Sequence, residues 1–138
     1  MPLSTDLDNA IINHITKKAL WAQPAATFIG LSTTTPNKDG TNVTEPGAGV
    51  GYARQQVTTA QWDAAAASKS QTNVVVTIGT ATADWLAGAN FTHVVIYDQA
   101  AGGNFLAFKA LAVPKPILNQ DTAKFNIADI SITVSGTA

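Results

Sequence analysis

The residues able to do chemistry are few and scattered. One glutamate, Glu45, lies in a Gly- and Pro-rich stretch, and eight aspartates are spread from Asp6 to Asp129. General acid–base catalysis needs paired ionisable groups in one pocket, whereas Asp at helix starts and turns usually braces the local backbone. Glu45 reads as a solvated loop carboxylate. The two histidines, His14 and His93, show neither His-x-His nor His-Glu-x-x-His spacing, so no metal site is expected. Cysteine is absent, which removes thiolate chemistry, disulfides and cysteine-based zinc sites together. Counting leaves a Ser-His-Asp set open, because its members need not be near in sequence. No Gly-x-Ser-x-Gly turn exposes a nucleophile, however. Gly47-Ala48-Gly49-Val50-Gly51 superficially matches a dinucleotide loop, yet it precedes a β-like run. The helix N-terminus that would hold a pyrophosphate is therefore missing. Asp39-Gly40 lacks the alternating acidic ligands of a calcium loop. No catalytic residue, metal ligand or cofactor is expected.

Composition points to contact surface instead. Hydrophobic residues make up 46% of the chain, an ordinary share, but charged residues only 12%, against a typical ~25%. A free monomer usually keeps a well-charged surface. A surface this poor in charge and rich in Ala and Thr reads as one covered by copies of itself or by a partner; the alternative is a neutral monomer. The net charge of −1 offers no basic field for phosphates, so nucleic acid is not an expected partner. Met1-Pro2-Leu3-Ser4-Thr5-Asp6 shows no basic region followed by an apolar run, so no secretory signal is expected. No 18-residue apolar stretch exists to cross a membrane.

The elements that must carry these surfaces follow from periodicity. Leu7, Ile11, Ile15 and Ala19 recur at i, i+4, i+8 and i+12, with Ile12 and Leu20 widening the stripe, and predict one amphipathic helix. Thr5 is the expected N-cap, Asp6 and Asp8 sit at the positive end of the dipole, and Lys17 and Lys18 at the negative end. After Pro24 the chain turns to short β-rich runs. The expected strands are Thr27–Thr33, Tyr52–Thr59, Asn73–Gly79, Phe91–Asp98, Asn104–Ala112, Thr122–Ala128 and Asp129–Ser135. Phe91–Tyr97 is apolar on nearly every residue, as a central strand requires. Phe125 and Ile127, then Ile130, Ile132 and Val134, alternate as in half-buried strands. Two long connections, Thr34–Gly51 and Ala60–Thr72, lack periodicity and read as functional loops that are mobile alone. The chain is thus expected to be one domain over residues 1–138. It divides into an N-terminal helical arm (1–23) and a β core (24–138). The expected fold is all-β, a jelly-roll-like sandwich of about seven or eight strands with one N-terminal α-helix.

The residues expected to make contacts are large or singular. Trp62 sits in a loop and Trp85 in a turn after Asp84; Trp is enriched where proteins meet, with core packing as the alternative for each. Arg54, the only arginine, is expected to pair with a carboxylate across an interface. Leu7, Ile11 and Ile15 form the apolar stripe that an anchoring helix would offer.

The order of several short segments is similar to that of small tailed-bacteriophage virion proteins, often labelled tail-fibre-like. The opening Ala25-Ala26-Thr27-Phe28-Ile29-Gly30-Leu31-Ser32-Thr33-Thr34-Thr35-Pro36 carries the resemblance first. Gly51-Tyr52-Ala53-Arg54-Gln55, Asn73-Val74-Val75-Val76 and Ala83-Asp84-Trp85 follow. Then come Thr92–Asp98, Gly102-Gly103-Asn104-Phe105-Leu106 and a closing Lys115-Pro116 … Asp121–Phe125 unit. It covers nearly the whole chain, and departs from the family's Trp-Gly pair at Trp85-Leu86. The resemblance implies a non-enzymatic virion structural protein, made in the bacterial host cytoplasm. Because the chain shows no fibrous repeat, the favoured expectation is a capsid-surface decoration (cement) protein. It would be a homo-oligomer, with a trimer favoured, bound to the major capsid protein. The alternative is a tail or tail-fibre component that meets tail proteins and takes part in host or glycan binding.

Overall fold

A strand as apolar as Phe91–Tyr97 is stable only when both of its faces are covered, and the fold is arranged around that requirement. The computed structural model describes residues 1–134. It contains α1 (Thr5–Ile15), β1 (Thr27–Ser32), β2 (Gln55–Val57), β3 (Lys69–Gln71) and β4 (Val76–Thr80), then β5 (Phe91–Tyr97), β6 (Phe105–Lys115), β7 (Thr122–Phe125) and β8 (Ser131–Thr133). The eight strands are all antiparallel to their partners. They form a four-stranded sheet in the order β2-β1-β5-β6 and two ribbons, β3-β8 and β4-β7. The arrangement is sandwich-like and does not close into a barrel.

β5 lies inside the large sheet and separates two apolar layers. On one face Val94 and Ile96 join Ile29, Leu31 and Ala107, and meet Val76, Ile78 and Ala123 of the β4-β7 ribbon. On the other face Val95, Tyr97 and Phe105 form a smaller cluster with Val43 and Phe108. His93 shares that second face and is buried with them. Val43 belongs to the 34–51 connection, so this long loop is a lid on the sheet. Its own bonds hold it there. Thr33 N–H donates to the Thr44 carbonyl, Asn37 N–H to Thr41, and the Asn42 side chain to the Thr35 carbonyl. The expectation of a loop mobile on its own gives way to one built as a bonded cap.

Local differences from the sequence reading have local causes. Ser4, not Thr5, caps α1: its hydroxyl accepts the Leu7 N–H while its own N–H bonds the Leu106 carbonyl. The helix ends at Ile15 because Lys17 adopts a left-handed backbone (φ 58), so the stripe does not run on to Ala19. β3 occupies part of the 60–72 segment read as loop; Lys-Ser-Gln is too short and polar to show a period. β7 stops at Phe125, and the following turn, with Ala128 at φ 68, carries Ile127 out to solvent. The last expected strand is seen as Ser131–Thr133, and Ser135 lies outside the described residues.

Candidate interaction surfaces

One densely bonded part of the chain is an internal clasp. Glu45 accepts two bonds from Arg54 (Nη2 at 2.6 Å, Nε at 3.0 Å) and one from the Tyr52 hydroxyl. Arg54 uses its remaining fork on the Gly102 carbonyl at 2.8 Å and lies flat over the Tyr97 ring, 3.4 Å from its centre. Both side chains of the ion pair are mostly covered, at 10% and 16% exposure. Burial raises the Tyr52 phenol well above its usual range, and the Glu45 charge raises it further. Burial opposes the charge on Arg54, but its bonds to Glu45 more than compensate and hold its pKa up. A Cβ at Gly30 would stand 2.5 Å from the Glu45 carboxylate and 2.6 Å from the Tyr52 oxygen. Only glycine leaves room there for the clasp.

This geometry corrects two readings. Glu45 is not a solvated loop carboxylate, and Arg54 finds its carboxylate within the chain, not across an interface. The clasp ties the 34–54 connection to the β5–β6 turn, with every polar group in it satisfied, which is what burial of charge demands.

The tryptophans divide sharply. Trp85 is completely buried, its indole N–H donates to the Val50 carbonyl at 2.7 Å, and its ring meets Tyr52 and Phe91 edge-on. It is a core residue with nothing left to offer a partner. Trp62 is half-buried, and its N–H is fixed on the Thr27 hydroxyl at 2.9 Å. Trp21, which the contact expectation passed over, is 38% exposed and stands across from Trp62. Together with Pro24, Ala26, Val57 and Ala64 they line an open groove of about 460 Å³ in which Asp63 is the one charged residue. Of the helical stripe, Leu7 and Ile11 are half-buried, and the chain just before α1 bonds the outer edge of β6 at Leu106 and Phe108. Ile15 is 73% exposed.

A second surface lies outside what the sequence analysis anticipated. β6 pairs with β5 at Ala110↔His93 and again at Lys115↔Phe91. One residue of β5 therefore faces four of β6, Leu111–Pro114, and the extra residues bulge out of the ladder. Val113 at the crest is 71% exposed, and Ala112, Pro114 and Lys115 are exposed beside it. The two prolines that flank Lys115 were the available signal, since Pro cannot donate to a ladder and marks bulges and edges. Behind the bulge an open, largely apolar groove of about 590 Å³ separates β6 from β7, with Lys109, Lys115 and Lys124 among its lining residues.

Among the described residues no three His, Cys, Asp or Glu side chains stand close enough to hold a metal ion. His93 shares a hydrogen bond with the adjacent Thr92 hydroxyl at 2.8 Å, and burial lowers its pKa. No helix among the described residues is long and apolar enough to cross a membrane. The arrangement can hold and be held; what it presents is apolar surface.

Comparison with known proteins places the chain. No curated protein matches it. A family model described as podophage GP4 fiber I protein gp80 matches residues 2–133, from the segment before α1 through β8. The match agrees with the resemblance carried by the segment order, and with a β scaffold whose distinctive features are surfaces. It makes the chain a virion structural component, and by that match the chain belongs to the podophage GP4 fiber I protein gp80 family.

Proposed function

We propose that this chain is a non-enzymatic subunit of a podophage tail fibre, working through protein–protein contact. The observation that carries this reading is the family match, which spans nearly the whole chain and is described as a fiber protein. The apolar groove between Trp21 and Trp62 and the exposed β6 bulge support it, because a monomer gains nothing from leaving such surface in water. Among the described residues no three His, Cys, Asp or Glu side chains come together, and the Glu45–Arg54–Tyr52 group is used up by its own mutual bonds, which favours contact over turnover. In this reading the partners are other tail proteins and further copies of the chain. The earlier preference for capsid decoration rested on the absence of a fibrous repeat. That absence weighs less for a compact unit, which can be one module of a fibre without being its shaft.

The test is position on the particle. Gold-labelled antibody against this chain, imaged on intact virions, is expected to mark the tail, with the protein far less abundant than the major capsid protein. Label spread over the head, at an abundance approaching that of the capsid protein, would reject the fibre reading in favour of decoration.

A further inference from the structure

The two exposed surfaces are complementary, and they lie at opposite corners of the same sheet. The groove sits where Thr27 of β1 pairs with Val57 of β2, at the end of the sheet where Phe28 meets Tyr97. The bulge sits on β6, the opposite edge strand, at the Phe91 end of β5. With about 3.3 Å per residue and about 4.8 Å between strands, the two are some ~20 Å apart along the sheet and ~14 Å across it. No single chain can bring them together. A second copy can.

We infer that the chain associates head to tail, the β6 bulge Leu111–Lys115 of one copy seating in the Trp21–Trp62 groove of the next. Three features of the molecule select this occupant. The first is shape and backbone: an aromatic-lined groove suits an extended, proline-containing segment, whose ordering cost is low. Val113-Pro114-Lys115-Pro116 is such a segment, already held extended by the strand. The second is charge. Asp63 is the one charged residue lining the groove, and its carboxylate accepts no hydrogen bond among the described residues. The bulge carries Lys115, which is exposed and without an ion-pair partner among the described residues. Seated, Val113 would cover the tryptophans while the Lys115 ammonium meets the Asp63 carboxylate. The third is what the bulge disfavours. Pairing of β6 with β6 of another copy would set Lys109 against Lys115 and place Pro114 where an N–H is needed, two devices that blunt an edge strand.

The contact is heterologous, using different patches on the two copies. Such contacts close into a ring when the rotation permits and otherwise propagate as a filament. Either outcome suits a fibre subunit. The inference rests on reading the chain as an assembly subunit, but it can fail separately: label on the tail says nothing about self-association in solution.

The experiment is sedimentation analysis of the purified full chain over a wide concentration range. Wild type is expected to form oligomers. Val113→Asp, which puts a charge on the crest, should raise the dissociation constant about tenfold or more. Asp63→Lys and Lys115→Asp should each weaken association by about threefold or more through like-charge contact. The double variant Asp63→Lys with Lys115→Asp should restore it. All three positions substituted here are at the surface, so unchanged far-ultraviolet circular dichroism is expected for every variant. A wild-type chain that stays monomeric at all concentrations overturns the inference and leaves the groove to a foreign partner. Oligomers insensitive to Val113→Asp, or single charge variants that the double does not rescue, overturn it as well.

Discussion

Two tryptophans nearest the opposite limits of burial, Trp85 and Trp21, show how this chain divides its apolar residues between folding and contact. Around Trp85 every group is matched. The ring packs on Tyr52 and Phe91, the indole N–H has a carbonyl, and the Tyr52 hydroxyl leads on to Glu45 and Arg54. Around Trp21 little is matched: its backbone N–H makes a long 3.4 Å bond to His14, and Leu20 beside it is 90% exposed. Residue type does not separate the two regions. What separates them is whether the polar atoms that accompany an aromatic side chain find partners inside the chain. At Trp85 they do, and burial stabilises the fold; at Trp21 they do not, and the surface stays open for another molecule.

The largest test of that division is truncation at both positions. Trp85→Ala removes a fully buried side chain with two edge-on aromatic contacts, and should cost about 3–5 kcal/mol. For a domain of ordinary stability that is a large share of the total, so thermal melting is expected to show a lost or grossly lowered transition. Trp21→Ala should cost clearly less, about 1–2 kcal/mol, because its ring lines an open groove with 38% of the residue already exposed. A comparable loss at both positions would show that the Trp21 groove is part of the folded core and would dissolve the contrast.

A smaller effect is expected at the clasp. Glu45→Gln keeps the volume but removes the charge facing Arg54, leaving a side chain that is only 10% exposed with a neutral partner. Breaking one side of a buried pair typically costs about 3 kcal/mol or more. Here Arg54 keeps the Gly102 carbonyl and the Tyr97 ring, so the lower end is expected, about 2–3 kcal/mol by urea titration. Exchange of Arg54 and Glu45 together for a well-fitted apolar pair should recover much of that loss. If Glu45→Gln is neutral, the clasp is an incidental surface pair, and Gly30 needs another explanation.

How far these regions could be read in the sequence depended on how local their causes are. α1 and β5 were legible because an amphipathic stripe and an apolar run of seven residues carry their own period. The all-β class followed from the series of short β-rich runs after Pro24. The clasp was not legible, since Glu45 and Arg54 approach only because Gly30, on a distant strand, leaves space. The bulge was harder to place for a similar reason: Leu111–Ala112–Val113 continue a β-like composition, the prolines flanking Lys115 mark a break without locating it, and the register against β5 is what shows the residues in excess. Trp62 and Trp85 looked alike in sequence because each sits in a connection between strands, and the backbone of that connection decides which way a ring points.

That last point can be tested directly, at the smallest scale. Trp85 enters the core because the chain after it folds back through three residues in left-handed conformation: Leu86 at φ 47, Ala87 at φ 54 and Gly88 at φ 76. Two of the three carry a Cβ, which disfavours that region by about 1–2 kcal/mol each. The strain persists because the burial of Trp85 outweighs it. Leu86 is half-buried against the core, so replacing it would lose packing as well as strain. Ala87 is exposed, and Ala87→Gly relieves strain while removing only a methyl group. Some of the gain is offset by the greater freedom of glycine in the unfolded chain, about 0.4–1 kcal/mol. The net expectation is a stabilisation of about 0.5–1 kcal/mol, or roughly 2–4 °C in melting temperature. Ala87→Val should move stability the other way by more, since a β-branched residue tolerates the left-handed region least. A destabilised Ala87→Gly would mean that this turn carries no strain, and that Trp85 is held in place by its ring contacts alone.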